Sequence, residues 1–313
     1  MASQRPLVTA VITTHNREDR IAGAIESVLD QNYPNMETIV IDDCSSYNIA
    51  DHLSEYLPDI ELIRNSENRG ANWSRATGIS RAKGDYIAFL DDDDRWRPNK
   101  IERQIEAITN SPPEYGVVTT GFERNDGTTV IPEIDDNAEL KKKLLLGTNP
   151  VGGFSKILVD MSVIRRAGLP DIHLSSSQDI EWFIRLSQEC KFLGVQEPLV
   201  NFNEEGKDRI THKKVNKLSD SHGEILRKHS KSVEKYGEIF KRKAWNNRNI
   251  RISTYAAANS DFEKCREHSL KAIKSYPFNR TPYLLLILSL FGDKGYRLAE
   301  RLPTKIRRAL ANR

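Results

Sequence analysis

The chain has 313 residues, 38% hydrophobic and 29% charged, with a mean hydropathy of −0.57, enough apolar material for a packed core and too much for wholesale disorder. No apolar run approaches the roughly 20 residues of a spanning helix, and three scattered cysteines without a CxxC pair argue against a disulfide framework or a zinc site. The net charge of +3 divides into −13 over residues 1–206 and +16 over residues 207–313, which predicts two regions with different tasks.

Residues 1–6 are polar and lead straight into a strand-like run, unlike a secretory signal, so a reducing cytoplasm is the expected compartment. Residues 7–14 (LVTAVITT) read as a buried strand. Ile21, Ala24, Ile25, Val28 and Leu29 then share one helical face. TIVI at 38–41 is a second buried strand. A weaker helix around Ile49, Leu53 and Leu57 precedes a short strand at 60–63. Residues 71–82 read as a helix ended by Gly84, and YIAFL at 86–90 is apolar throughout. Pro98 is expected to open a helix carrying Ile101, Ile105 and Ile108. A strand at 117–122 then runs into an Asn125-Asp126-Gly127 hairpin turn.

Strands separated by helices imply an α/β fold with a mostly parallel sheet, whose ligands bind beyond the carboxyl ends of the strands. Those ends carry Thr14-His15-Asn16-Arg17, then Asp42-Asp43, then Asp91-Asp92-Asp93-Asp94. Adjacent carboxylates repel one another. A hard divalent cation such as Mg²⁺ or Mn²⁺ removes that penalty, held by one or two carboxylates and substrate phosphates. The alternative is a solvated acidic turn in which Asp94 or a neighbour caps the next helix. With a second Asp pair on a neighbouring strand, the metal site is favoured. No GxGxxG follows strand one, and GxxxxGK[ST] is absent, which disfavours a dinucleotide fold and a P-loop. The glycine-rich loop of sugar nucleotidyltransferases is also missing, so metal and side chains must hold a diphosphate.

Several motifs in order now carry a resemblance. They are Val11-Ile12-Thr13-Thr14-His15-Asn16-Arg17, Ser27-Val28-Leu29-Asp30-Gln31, Ile39-Val40-Ile41-Asp42-Asp43-Cys44-Ser45, Asn68-Arg69-Gly70 and Ala76-Thr77-Gly78-Ile79. The run Ala82-Lys83-Gly84-Asp85-Tyr86 through Asp94 and then Trp96-Arg97-Pro98-Asn99-Lys100 completes them. Together they resemble the donor-binding half of family 2 glycosyltransferases, over roughly the first third of the chain. Ser177-Gln178-Asp179-Ile180-Glu181-Trp182 resembles the family's acceptor-side helix. Three departures stand out: Cys44 where the family usually has Gly, no acidic residue near Ser46 or Tyr47 where one is common, and Gln178-Asp179 where the family often has Glu-Asp.

The resemblance implies a GT-A fold and an inverting, metal-dependent transfer from a nucleoside-diphosphate sugar to a hydroxyl of a glycan or lipid-linked saccharide. Asp91-Asp92-Asp93 matches the family's Asp-x-Asp motif: Asp93 for direct contact with Mn²⁺ or Mg²⁺, Asp91 for ribose or metal contact, Asp92 within the nucleotide-binding set. Asp42 or Asp43 would accept from the base, which favours UDP. Thr13, His15 and Arg17 would line the nucleotide. Arg75 would face a phosphate, with an exposed helix arginine as the alternative. Asp179 would deprotonate the acceptor hydroxyl; a helix cap is the alternative. Glu181 is expected to point elsewhere on the helix. Asn149 to Phe154 (NPVGGF) lies near the acceptor or forms a plain turn. His212, in Arg209-Ile210-Thr211-His212, would join the metal or phosphate site, or remain a surface loop histidine.

These readings place a GT-A catalytic domain at 1–214 (nucleotide-sugar binding at 1–110, acceptor side at 111–214) and a basic helical appendage at 215–313. Residues 255–276 suggest one tetratricopeptide-like hairpin. Tyr283 to Phe291, followed by Lys294, Arg297, Arg301, Lys305, Arg307, Arg308 and Arg313, suggests an interfacial helix on the inner face of the cytoplasmic membrane. The alternative is a core helix with a solvated basic tail. Nucleic acid is not expected as a partner, because the tail lacks interleaved aromatics. The competing functions are a non-catalytic nucleotide-sugar or glycan-binding protein that retains the fold, and a sugar nucleotidyltransferase.

Overall fold

The computed structural model describes residues 5–134, 136–203 and 215–292. The chain forms two compact units. The first comprises Met1–Leu144, Asn149–His173 and Gln178–Glu205; the second comprises Leu145–Thr148, Leu174–Ser177 and Gly206–Arg313.

The first unit opens with β1 (Val8–Thr14), α1 (Ile21–Leu29), β2 (Met36–Asp42), α2 (Ile49–His52), β3 (Glu61–Arg64), α3 (Ala71–Arg81) and β4 (Tyr86–Asp91). These four strands are parallel neighbours in the order β3-β2-β1-β4. All seven residues of β1 are buried, as a central strand covered on both faces requires. The sheet continues through antiparallel β8 (Ile157–Asp160) to β6 (Tyr115–Arg124), then to β9 (Lys191–Phe202), parallel to β6, and antiparallel β5 (Arg95–Trp96). Helices α4 (Lys100–Thr109), α5 (Asn137–Leu145), α6 (Met161–Ala167) and α7 (Gln178–Glu189) complete the described order, with β7 (Thr129–Val130) paired to β6. The core gathers Val8, Ala10 and Ile12 of β1 with Ile21, Ile25 and Val28 of α1 and Ile101, Ile105 and Ile108 of α4.

Several boundaries differ from the sequence expectation. Helix α2 stops at His52, and Leu57 is 41% exposed; Pro58 disfavours a helical residue before it. Gly84 does not end α3, which stops at Arg81 with Ala82 already extended. Its role is close approach: a Cβ there would lie 2.7 Å from the Thr9 amide nitrogen. Pro98 sits in a turn closed by Lys100 N–H on the Arg97 carbonyl at 3.0 Å, and α4 starts at Lys100. The expected hairpin is present: Gly127 takes φ +79° between β6 and β7. Before β8 the chain makes one 3₁₀ turn, Phe154–Lys156.

In the second unit the helices Glu238–Ala258 and Phe262–Ser275 form a hairpin that starts well before Tyr255. Asp261 caps the second helix by accepting from the Lys264 amide at 3.1 Å. Ile250, Ala256, Cys265, Ala272 and Leu285 form its core, whereas Leu270 is exposed.

Candidate active site

Parallel register sets the site. Thr14 lies beside Asp42, and Thr13 beside Asp91, so three strand ends deliver their polar residues to one edge. The Thr14 hydroxyl donates to the Asp92 carboxylate at 2.7 Å, with both side chains buried. His15 Nδ1 lies 2.8 Å from the Asp43 carbonyl. Asn16 takes φ +53°; its amide donates to Ser45 Oγ at 2.9 Å, and its side-chain oxygen accepts from the Ser46 amide at 2.7 Å. Asparagine tolerates this left-handed backbone, a role the sequence reading missed although the residue lies within its first motif.

Asp42 is fully buried and accepts from the Ser45 amide and hydroxyl at 2.9 and 2.5 Å, with Arg64 3.4 Å away. Asp43 anchors the Asn68-Arg69-Gly70 segment: it accepts from the Arg69 and Gly70 amides at 3.0 and 2.7 Å and from Asn65 at 2.9 Å. Between this loop and β2, Cys44 takes φ +63°. That backbone suits glycine better than cysteine.

The acidic turn is graded in exposure. Asp91 and Asp93 are half-buried, and Asp92 and Asp94 are buried. Burial pushes Asp92 up to about 7, opposed by the Thr14 hydrogen bond and reinforced by Asp93 and Asp91. Asp94 also rises to about 7 through burial, opposed by Lys156 and a hydrogen bond from Ser155. Burial, then the charge of Asp91, raises Asp93, while Arg17 draws it down. Asp94 caps no helix; β5 follows it and Asn99 occupies the cap position of α4. Asp94 instead accepts from the Asn203 amide at 3.3 Å. Asp93 also borders an open recess of about 260 Å³ lined by Arg95, Asn125, Asn201 and Asn203.

Arg75 is buried, not exposed. It pairs with Asp91 at 2.5 Å, donates to Asn72 at 3.2 Å and lies 3.9 Å over the Phe154 ring. On α7, Asp179 Oδ2 accepts from the Asn149 amide group at 2.6 Å. Asn149 in turn accepts from the Val151 and Gly152 amides at 3.1 Å. The NPVGGF stretch therefore meets the Asp179 carboxylate directly. Glu181 does point elsewhere: it is fully buried and holds Arg185 at 2.8 Å, whose remaining donors reach the Ala167 and Leu169 carbonyls. His212 lies outside the described residues.

Among the described residues no three His, Cys, Asp or Glu side chains converge as a ready metal cage. The donor set still fits a hard cation that substrate phosphates complete. Asp91, paired with Arg75, and Asp93 offer oxygen ligands on a turn where burial first, and the neighbouring carboxylates after it, raise Asp92, Asp93 and Asp94.

The sequence model described as Glycosyl transferase family 2 matches residues 9–166, half of the chain. The chain belongs to glycosyl transferase family 2. The matched span runs from β1 into α6 and contains the whole acidic turn. This glycosyltransferase is 31% identical over 170 residues to the UDP-Glc:alpha-D-GlcNAc-diphosphoundecaprenol beta-1,3-glucosyltransferase WfgD of Escherichia coli, covering 53% of this chain and 65% of WfgD. Its fold is similar to that of S. aureus TarS 1–349 in complex with UDP-GlcNAc, at a TM-score of 0.59 and 13% identity, covering 88% of this chain and 90% of that one. It is also similar to the mannosyltransferase PcManGT of Pyrobaculum calidifontis in complex with GDP-Man and Mn²⁺, at a TM-score of 0.55 and 14% identity, covering 92% and 85%. No helix among the described residues is long and apolar enough to cross a membrane.

Proposed function

We propose that the enzyme moves a sugar from a nucleoside-diphosphate sugar, UDP first, to a hydroxyl of a glycan or lipid-linked saccharide, with inversion in a single displacement. The observation that carries this reading is the shared edge at which β1, β2 and β4 deliver Thr13, Asp42 and Asp91 beside the acidic turn. Asp42 or Asp43 accepts from the base N–H; Asp42 keeps one carboxylate oxygen without a hydrogen-bond partner, whereas Asp43 already accepts from Asn65, Arg69 and Gly70. Thr13, His15 and Arg17 line the nucleotide. Arg75 holds Asp91 in place. Mn²⁺ or Mg²⁺, held by Asp93 and Asp91, would neutralise charge on the departing diphosphate. Asp179, oriented by Asn149, accepts the proton of the acceptor hydroxyl as that oxygen attacks the anomeric carbon and the bond to the β-phosphate oxygen breaks. The diphosphoundecaprenol acceptor of WfgD supports a lipid-linked acceptor, and TarS with UDP-GlcNAc supports a UDP donor.

We assign catalysis to residues 1–214, of which the first compact unit ends at Glu205, and treat 215–313 as the helical appendage. Tyr283, Ile287 and Leu290 form an exposed stripe on the helix Thr281–Leu290, with Phe278 and Phe291 also exposed. Seven basic residues follow in sequence, which supports peripheral contact with an anionic bilayer. Equal co-sedimentation with neutral and phosphatidylglycerol vesicles would remove that contact. The catalytic reading is tested by transfer from UDP-glucose to a polyprenyl-diphosphate N-acetylglucosamine. Asp179→Asn is expected to lower transfer by about 10²–10⁴-fold while UDP still binds. Wild-type turnover in this variant would overturn the base assignment.

A further inference from the structure

We propose that Ser155 is a positioning residue that clamps the acidic turn to the loop orienting Asp179, fixing the donor-side and acceptor-side carboxylates relative to one another. The inference rests on the roles proposed above for Asp91, Asp93 and Asp179.

The clamp begins where the sheet stops. The β4–β8 ladder ends at the pair Ala88–Leu158, and the chain before β8 curls into the turn Phe154–Lys156. The last amide of β4 is therefore left without a ladder carbonyl. Ser155 Oγ accepts it, from Asp91 N–H at 3.1 Å. The Ser155 carbonyl also accepts, from Trp96 Nε1 at 2.9 Å. One residue, only 2% exposed, thus grips positions 91 and 96. The turn's own closing bond, Asp94 N–H to the Asp91 carbonyl at 3.1 Å, spans only part of that distance. A hydroxyl suits the place because its oxygen accepts the amide that the ladder leaves over.

The other end of the segment reaches the proposed base. Six residues before Ser155, Asn149 donates to Asp179 at 2.6 Å. Between them the Phe154 ring stacks on Trp182 of α7, centroids 5.6 Å apart, and carries the Arg75 guanidinium that pairs with Asp91. Residues 149–155 therefore touch Asp179, its helix and the acidic turn in one short span. Displacing reacting groups by about 1 Å can cost about 10²-fold in rate, so a strut of this kind has a measurable effect.

The test uses Ser155→Ala and the space-filling Ser155→Cys, whose thiol is a weak donor and acceptor. Calorimetry gives the UDP dissociation constant with and without Mn²⁺, and the ratio of the two is the readout. A merely structural serine would lower the melting temperature and leave that ratio alone. The clamp predicts that the ratio falls about fivefold in both variants, as the loss of one neutral hydrogen bond implies. Asn149→Ala, at the far end, is expected to keep the ratio within about twofold while kcat falls at least tenfold. Folded Ser155 variants with the wild-type ratio would overturn the clamp. A wild-type protein that binds UDP equally with and without Mn²⁺ would instead overturn the metal-site assignment beneath it.

Discussion

Thr14→Val removes one hydroxyl from a buried carboxylate and changes almost nothing in volume. In the wild type, burial raises Asp92 from its ordinary value of 3.8 to about 7. A carboxyl raised on folding contributes stability at acid pH and loses it as pH climbs through its folded value. Three units correspond to about 4 kcal/mol lost between pH 4 and pH 8. The 2.7 Å hydrogen bond from Thr14 limits that loss, because it favours the ionised form. A hydrogen bond to a charged group is worth about 1.5–3 kcal/mol, against about 1 kcal/mol for a neutral pair. Thr14→Val should therefore cost about 1 kcal/mol at pH 4.5, where Asp92 is neutral, and about 2 kcal/mol or more at pH 8.5. Urea unfolding at the two pH values measures both. An equal cost at the two, or a larger one at pH 4.5, would refute the assignment of Asp92 as a desolvated carboxylate held by Thr14.

Cys44 at φ +63° makes Cys44→Gly a stabilising change of about 0.5–1 kcal/mol; a lower melting temperature would show that its contact with the Ser66 carbonyl outweighs backbone strain. His222 is buried in the second unit, both ring nitrogens lack a partner among the described residues, and burial with the charges of Arg251 and Arg248 lowers it to about 3. A depressed histidine favours the unfolded chain as pH drops below about 6.5, by about 2 kcal/mol at pH 5. His222→Leu should flatten that part of the acid limb in urea melts at pH 7 and pH 5, and an unchanged difference between the two would contradict it.

The donor side was legible because its strands are buried on both faces. VITT, TIVI and YIAFL read as continuous apolar runs, so the carboxylates that follow them stood out, and parallel register brought them to one edge. The connections between distant segments were not legible. Arg75 fits an exposed helix equally well in sequence; only the Phe154 ring, far along the chain, and Asp91 show why it is buried. Ser155 carries no motif, and its partners at Asp91 and Trp96 lie 64 and 59 positions away. Lys100 was visible only as the end of a motif. It is fully buried over the Trp96 ring, with Nζ 2.7 Å from Gln104 Oε1, and burial holds its amine well below the usual range. The i,i+4 spacing of Lys100 and Gln104 was the available signal.

The measurement that tests the central claim most directly is thermal unfolding with UDP, GDP, CDP or dTDP, each with and without Mn²⁺, on the wild type and on Asp93→Ala. A ligand at a hundredfold excess over its dissociation constant adds about 2.7 kcal/mol to native stability. The account predicts a Mn²⁺-dependent rise with UDP in the wild type and none in Asp93→Ala. An equal rise in the variant would contradict the metal assignment, and no rise with any nucleotide in the wild type would contradict the donor site itself.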